Sequence, residues 1–133
     1  MIERRLHIGR WEIIFLFADE EYDVDLVLSR LAETDAPDFI FDDAEFLMDF
    51  CAYNCGFTYS NPVNKQMVVM IGPTTSGEEF LNTLTHEIRH VADAIADNLG
   101  VQLDSEEPAY KSGDAMMELA DVVCRLGCSM CNR

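Results

Sequence analysis

The sequence predicts a compact α+β domain in which a three-stranded sheet packs on about four helices. Three observations carry that expectation. An apolar run from Leu6 to Phe17 is rich in β-branched and aromatic residues, and a second strand-like pair brackets Asn61-Pro62. Helical spacing of apolar residues, with start and stop signals, recurs in four places. The 133 residues, 49% of them hydrophobic, fit a single domain over 1–133 with one core.

Leu6 to Phe17 reads as one strand, with Trp11, Ile13, Phe15 and Phe17 alternating and Gly9 marking a bulge. Arg4, Arg5 and Arg10 ahead of an apolar run resemble a leader peptide. That run stops at Ala18 against Asp19, Glu20 and Glu21, lacks a small-x-small cleavage pattern and is too short to cross a membrane, so a buried strand is expected. From Glu21 to Leu31, Val24, Val27, Leu28 and Leu31 recur at helical spacing, and Pro37 then breaks the chain. A second helix is expected from about Asp43 to Cys55, with Asp42 and Glu45 as a capping box and Gly56 as its stop. Two strands follow around Asn61-Pro62, the second from Gln66 to Ile71. A long helix opens at Thr75 with Glu78, or at Ser76 with Glu79, and closes at Gly100. The last helix begins between Asp104 and Pro108 and runs to about Gly127. There is no internal repeat, linker or low-complexity segment.

Charge narrows the partners. With 25 acidic against 9 basic side chains, the net charge is -16. Such a surface repels phosphates and anionic lipid, so neither nucleic acid nor membrane is an expected partner. Cationic partners and mimicry of DNA's own charge stay open, beside the plain effect on solubility. Five cysteines, an odd number, suit a reducing cytoplasm better than secretion.

The stretch that carries chemistry is TLTHEIRHVADAIAD, residues 83–97. At 100° per residue, Leu81, Leu84, Ile88, Val91, Ala92, Ile95 and Leu99 form the core stripe of its helix. His86 and His90 lie on the far side, one turn apart, with Asp93 and Asp97 continuing their line. Two imidazoles at i and i+4 can point at one ion, and zinc is the usual occupant. Glu87, one residue round from His86, leans toward the ion without aiming at it, as suits a base acting on water.

Two histidines hold zinc too loosely, so a third protein ligand is expected. The metzincin spacing would need glycine and then histidine or aspartate where Asp93 and Ala96 stand, and that reading fails. On the next helix, Glu107 falls in line with Lys111, Asp114, Glu118 and Arg125, a charged face. Glu106 falls in line with Tyr110, Gly113, Met117 and Cys124, beside Ala109, Met116, Ala120 and Val123, which reads as the inward stripe. A carboxylate there needs a partner. Glu106 is therefore the expected ligand, with Glu107 as the alternative and a cap or a pair with Arg89 as the non-metal role.

HEIRH at 86–90 followed by Glu106-x-x-Ala109 resembles a minimal gluzincin-type zinc metallopeptidase, most similar in layout to the small ImmA/IrrE-type domains found with phages and mobile elements. The resemblance covers roughly residues 66–124. It implies a small zincin-like fold, with the HExxH helix and the following helix forming the metal site. It implies Zn2+ held by His86, His90 and Glu106, Glu87 as catalytic base, and a peptide or protein substrate. Larger gluzincins carry aspartate where this chain has Tyr110.

Further roles follow from chemistry and placement. Asp93 is expected to orient His90 by accepting its second ring N–H, with Asp97 a weaker candidate. Tyr110, one turn beyond Glu106, is the candidate oxyanion donor, with Tyr59 and His7 as alternatives. The resemblance also implies that the strand just before the motif helix, Gln66 to Ile71, borders the cleft, where it could pair with an extended peptide. Cys51, Cys55, Cys124, Cys128 and Cys131 are expected to be buried thiols rather than a second metal site. Cys124 stands about 27 Å along the helix from Glu106, too far to serve the first ion. The leading function is a zinc-dependent peptidase. The alternatives are a catalytically inactive metal-holding or interaction module and an acidic DNA mimic.

Overall fold

The structure, a computed structural model, describes residues 1–131, with side chains as far as residue 127. The chain is α+β, with a four-stranded mixed sheet and five helices. The elements run β1 (Ile2–Ile8), β2 (Trp11–Phe17), α1 (Val24–Glu33), α2 (Asp38–Phe50), β3 (Gly56–Asn61), β4 (Gln66–Ile71), α3 (Gly77–Asn98), α4 (Glu106–Glu118) and α5 (Ala120–Cys131). Sheet order is β1-β2-β4-β3, with β2 and β4 parallel and the outer pairs antiparallel.

The expected single first strand is a hairpin. Ile8 faces Trp11 across a two-residue loop, and Gly9 sits at φ +59°, a backbone state that glycine adopts without a steric penalty. Gly9 thus turns the chain instead of bulging it, which makes four strands where three were expected. The alternation reading of β2 was also incomplete. Ile14 and Leu16 are as fully buried as Ile13, Phe15 and Phe17, because helices cover both faces of the sheet. One core lies between the sheet and α3, α4 and α5, and holds Phe15, Phe17, Val69, Phe80 and Leu84. The other lies under α1 and α2, and holds Leu16, Val27, Leu31, Met48 and Met70.

Helix α2 begins directly after Pro37, five residues before the expected start, and ends at Phe50. Proline at the cap position, φ -72°, pre-sets the entry to the helix, so Asp42 and Glu45 lie inside it and form no capping box. The last expected helix is two. α4 ends at Glu118, with Leu119 as its cap, and α5 starts at Ala120, a break across which Ala115, Leu119, Val122 and Leu126 all reach the core. At α3 the two possible caps resolve to Ser76, whose hydroxyl accepts from the Glu79 N–H at 3.1 Å. Gly100 closes the helix at φ +73°. No helix among the described residues is long and apolar enough to cross a membrane.

Candidate metal centre

Helix α3 carries the site because its sequence has two kinds of face. Leu84, Ile88, Val91, Ala92 and Ile95 of the predicted stripe are buried, whereas Leu81 and Leu99 at its ends are exposed. Strand β3 lies along the flank that begins at Thr83 and Glu87, and both of these are buried too. His86 and His90 remain on the open side.

The two imidazoles face each other edge to edge. Their Nε2 atoms are 3.1 Å apart and the ring planes cross at 78°. Two nitrogens bound to one tetrahedral zinc at about 2.0–2.1 Å would be about 3.3 Å apart, so the pair needs only a few tenths of an ångström to chelate. With one ligand atom taken from each of His86, Glu87 and His90, all three atoms lie within 4.8 Å of one another. The donor set of two imidazoles and a carboxylate suits a divalent transition metal.

Glu87 is held rather than exposed. It is only 4% accessible, and the Thr58 hydroxyl donates to its Oε2 at 2.6 Å, a distance typical of hydroxyl-to-carboxylate bonds. Beneath it lies Gly56. A Cβ at that position would stand 2.6 Å from Glu87 Cγ and 2.8 Å from Oε1, so the carboxylate rests on a place only glycine leaves empty. The sequence reading passes over Thr58 and takes Gly56 only as a helix stop, whereas Gly56 opens β3, and a signal for both was present. GFTYSN alternates small or polar residues (Gly56, Thr58, Ser60) with aromatic ones (Phe57, Tyr59), the pattern of a strand with one face on a site and one on a core.

Two open hollows meet at this point. One, of about 390 Å³, is lined by Gly56, Thr58, Ser60, His86, Glu87 and His90. The other, of about 290 Å³, shares Gly56, His86 and Glu87 and extends to Leu47, Asn54 and Cys55. The segment from Cys51 to Cys55 forming that end is tightly fixed. Tyr22 donates to the Cys51 carbonyl at 2.6 Å, Asn54 N–H to the Pro73 carbonyl at 2.8 Å, and Gly72 N–H to the Cys55 carbonyl at 2.8 Å. Burial pushes the Tyr22 hydroxyl pKa up.

The other expected site residues fall elsewhere. Glu106 is exposed at the first position of α4 and is not one of the three clustered groups. The inward stripe drawn for this region is corrected. Met116 and Val123 of that stripe do pack, partly buried, against the core, but Ala109, Tyr110, Gly113, Met117, Ala120 and Cys124 are exposed, and the fully buried positions are Pro108, Ala115, Leu119 and Val122. The buried face is therefore set by a different row, and half-buried Glu107 lies nearer to it than Glu106. Asp93 does not orient His90; it takes Arg89 Nε at 2.7 Å. Arg89 also donates to the Leu103 carbonyl at 3.1 Å, so it is not Glu106 that it pairs with.

Tyr110 is 64% exposed. Tyr59 packs with the core under α1 and α2, across the sheet from Glu87, because strand neighbours point to opposite faces. His7 lies on β1, the opposite edge of the sheet from β3. The strand Gln66 to Ile71 is paired on both sides, by β2 and β3, and has no free edge for a peptide. The edge beside the histidines belongs to β3.

The cysteines differ from the expected buried thiols. Cys51 and Cys55 form a disulfide with Cα atoms 6.4 Å apart, and Cys124 is free and exposed. The side chains of Cys128 and Cys131 lie outside those described. Comparison with protein-family models, with curated proteins and with solved structures finds no match.

Proposed function

We propose that the chain is a zinc-dependent peptidase in which His86 and His90 hold the ion and Glu87 is the base. The observation that carries this reading is the unequal treatment of the HExxH side chains. Two imidazoles point outward with their nitrogens 3.1 Å apart, while the glutamate between them is buried and fixed by a hydroxyl. A solvated helix face would give no reason to bury that glutamate. Zinc here would supply Lewis acidity and a water of lowered pKa.

Glu87 does the proton work. Thr58 occupies Oε2, which leaves Oε1, above Gly56, to take a proton from a water in the hollow. The free edge of β3 offers backbone groups to an extended substrate strand beside Glu87. We assign the third protein ligand to Glu106. Its support is the Arg89–Leu103 bond, which draws the connection ahead of α4 onto the flank of the histidine line away from Glu87. The cytoplasm belongs to the same proposal, and there the Cys51–Cys55 pair would be a dithiol.

Metal analysis of the purified chain tests the assignment. Wild type and Glu87→Gln should each hold about one zinc, and His86→Ala and Glu106→Ala should lose it. Retention by both ligand variants would refute the ligand set. Retention by Glu106→Ala alone would move the third ligand elsewhere. A metal-holding module without turnover is favoured by one observation, the exposure of both Glu106 and Tyr110. Absence of cleavage by the zinc-loaded chain across a broad peptide library would select it.

A further inference from the structure

Helix α2 turns a row of aromatic rings outward. Phe39, Phe46 and Phe50 fall within about 40° of one another at 100° per residue. They are 63%, 64% and 75% exposed, and Tyr53 just beyond the helix is 58% exposed. The rings of Phe46 and Phe50 touch, with centroids 4.5 Å apart, so these two form one apolar surface. Ala44 and Met48 on the opposite face already fasten the helix to the core. The phenylalanines therefore add little to the fold, and a cluster of large exposed aromatics marks a contact surface.

The border of this row carries one sign. Asp42, Asp43 and Asp49 flank the rings, Asp38 and Glu45 follow round the helix, and α2 has no basic residue. Among the described residues, none of these five carboxylates takes part in an ion pair. Apolar anchors inside an uncompensated acidic rim select an apolar stripe flanked by lysine or arginine. A second copy of this chain would bring the same carboxylates and a net charge of -16.

We infer that this face of α2 is a docking surface for a basic amphipathic helix of a protein partner. The partner's apolar residues at i, i+3, i+4 and i+7 seat on Phe39, Phe46 and Phe50, and its cations meet Asp42, Asp43 and Asp49. Leu47, on the next row of α2, lines the hollow that contains His86 and Glu87. A protein held on α2 thus has its neighbouring segment at the histidine pair. That delivery rests on the peptidase reading, whereas the docking does not.

The test uses the full chain carrying Glu87→Gln, with and without EDTA, so that neither cleavage nor metal decides the result. The probe is a fluorescent synthetic peptide of about twenty residues with leucines at helical spacing and lysines elsewhere. Its controls are a scramble of the same composition and a version with glutamate in place of lysine. Fluorescence anisotropy should saturate with the probe and be at least about tenfold weaker with either control. Phe46→Ser with Phe50→Ser should cost about tenfold or more, and Asp42→Asn with Asp49→Asn should weaken binding and flatten its salt dependence. The aspartate variant keeps the test decisive if the serine variant fails to fold. Equal affinity for the scramble, or full affinity in the aspartate variant, overturns the inference. So does self-association, or binding to phosphatidylcholine vesicles, that disappears in the serine variant.

Discussion

Thr58→Val isolates the bond on which the arrangement of Glu87 depends. Valine keeps the shape of threonine and removes its donor, leaving the Oε2 of a 4% exposed carboxylate without the hydroxyl now 2.6 Å away. A hydrogen bond to a charged group contributes about 1.5–3 kcal/mol, and one to a neutral group about 0.5–1.5 kcal/mol. The substitution should therefore cost more in the wild-type background than in Glu87→Gln, with a coupling of about 1 kcal/mol. At an unfolding entropy of roughly 2.1 cal/mol/K per residue, a chain of this length loses about 4 °C of Tm per kcal/mol, so Thr58→Val should melt roughly 5–11 °C lower. Urea and thermal unfolding of the four proteins in EDTA, which keeps metal linkage out of the comparison, measures the cycle. A penalty below about 0.5 kcal/mol, or equal penalties in both backgrounds, would show that Thr58 does not hold the glutamate.

Three other outcomes are expected. Gly56→Ala should destabilise by about 1–3 kcal/mol, because its new methyl meets Glu87 Cγ at 2.6 Å; denaturant titration reads this, and pairing it with Glu87→Ala should recover most of the loss. The Arg5 guanidinium bonded to Glu33 at 2.7 Å lowers that carboxyl's pKa below its ordinary 4.5. A depressed folded pKa gives stability that is present above pH 4.5 and is lost as the pH falls through the folded value. Glu33→Gln should flatten that part of the pH–stability curve by less than about 1 kcal/mol, since both partners are about a third exposed. Without reductant, alkylation and mass spectrometry should label Cys124 and spare Cys51 and Cys55, and reduction should expose both; labelling of the pair before reduction would contradict the disulfide.

The sequence was readable where local chemistry and burial agree. Leu84, Ile88, Val91 and Ile95 repeat at helical spacing because α3 packs on one side of a sheet, and that periodicity put the histidines on the opposite face. The cap at Ser76 is a local interaction and was equally visible. Strand order was not readable. Gln66 to Ile71 is apolar at nearly every position, which describes a central strand, yet nothing local says that the more polar Gly56–Asn61 is the edge lying along Glu87. The α4 stripe failed for a different reason. Met116, Met117, Ala109 and Ala120 can tile either face of a helix, and no proline or glycine announces the break at Leu119 that divides the expected helix in two. That pattern puts Glu106 inward, whereas the buried row of α4 runs through Pro108 and Ala115 and leaves Glu106 exposed.

The contact between Gly56 and Glu87 joins positions 31 residues apart into one steric unit. Neither can drift alone, since any larger residue at 56 demands a shorter one at 87, and shortening 87 either draws the carboxylate back from the hollow, as aspartate would, or removes it. Homologous chains should therefore split into two groups, those that keep the glycine–glutamate pair together and those that have lost both. A chain with bulk at the first position and glutamate still at the second would have to route its edge strand differently.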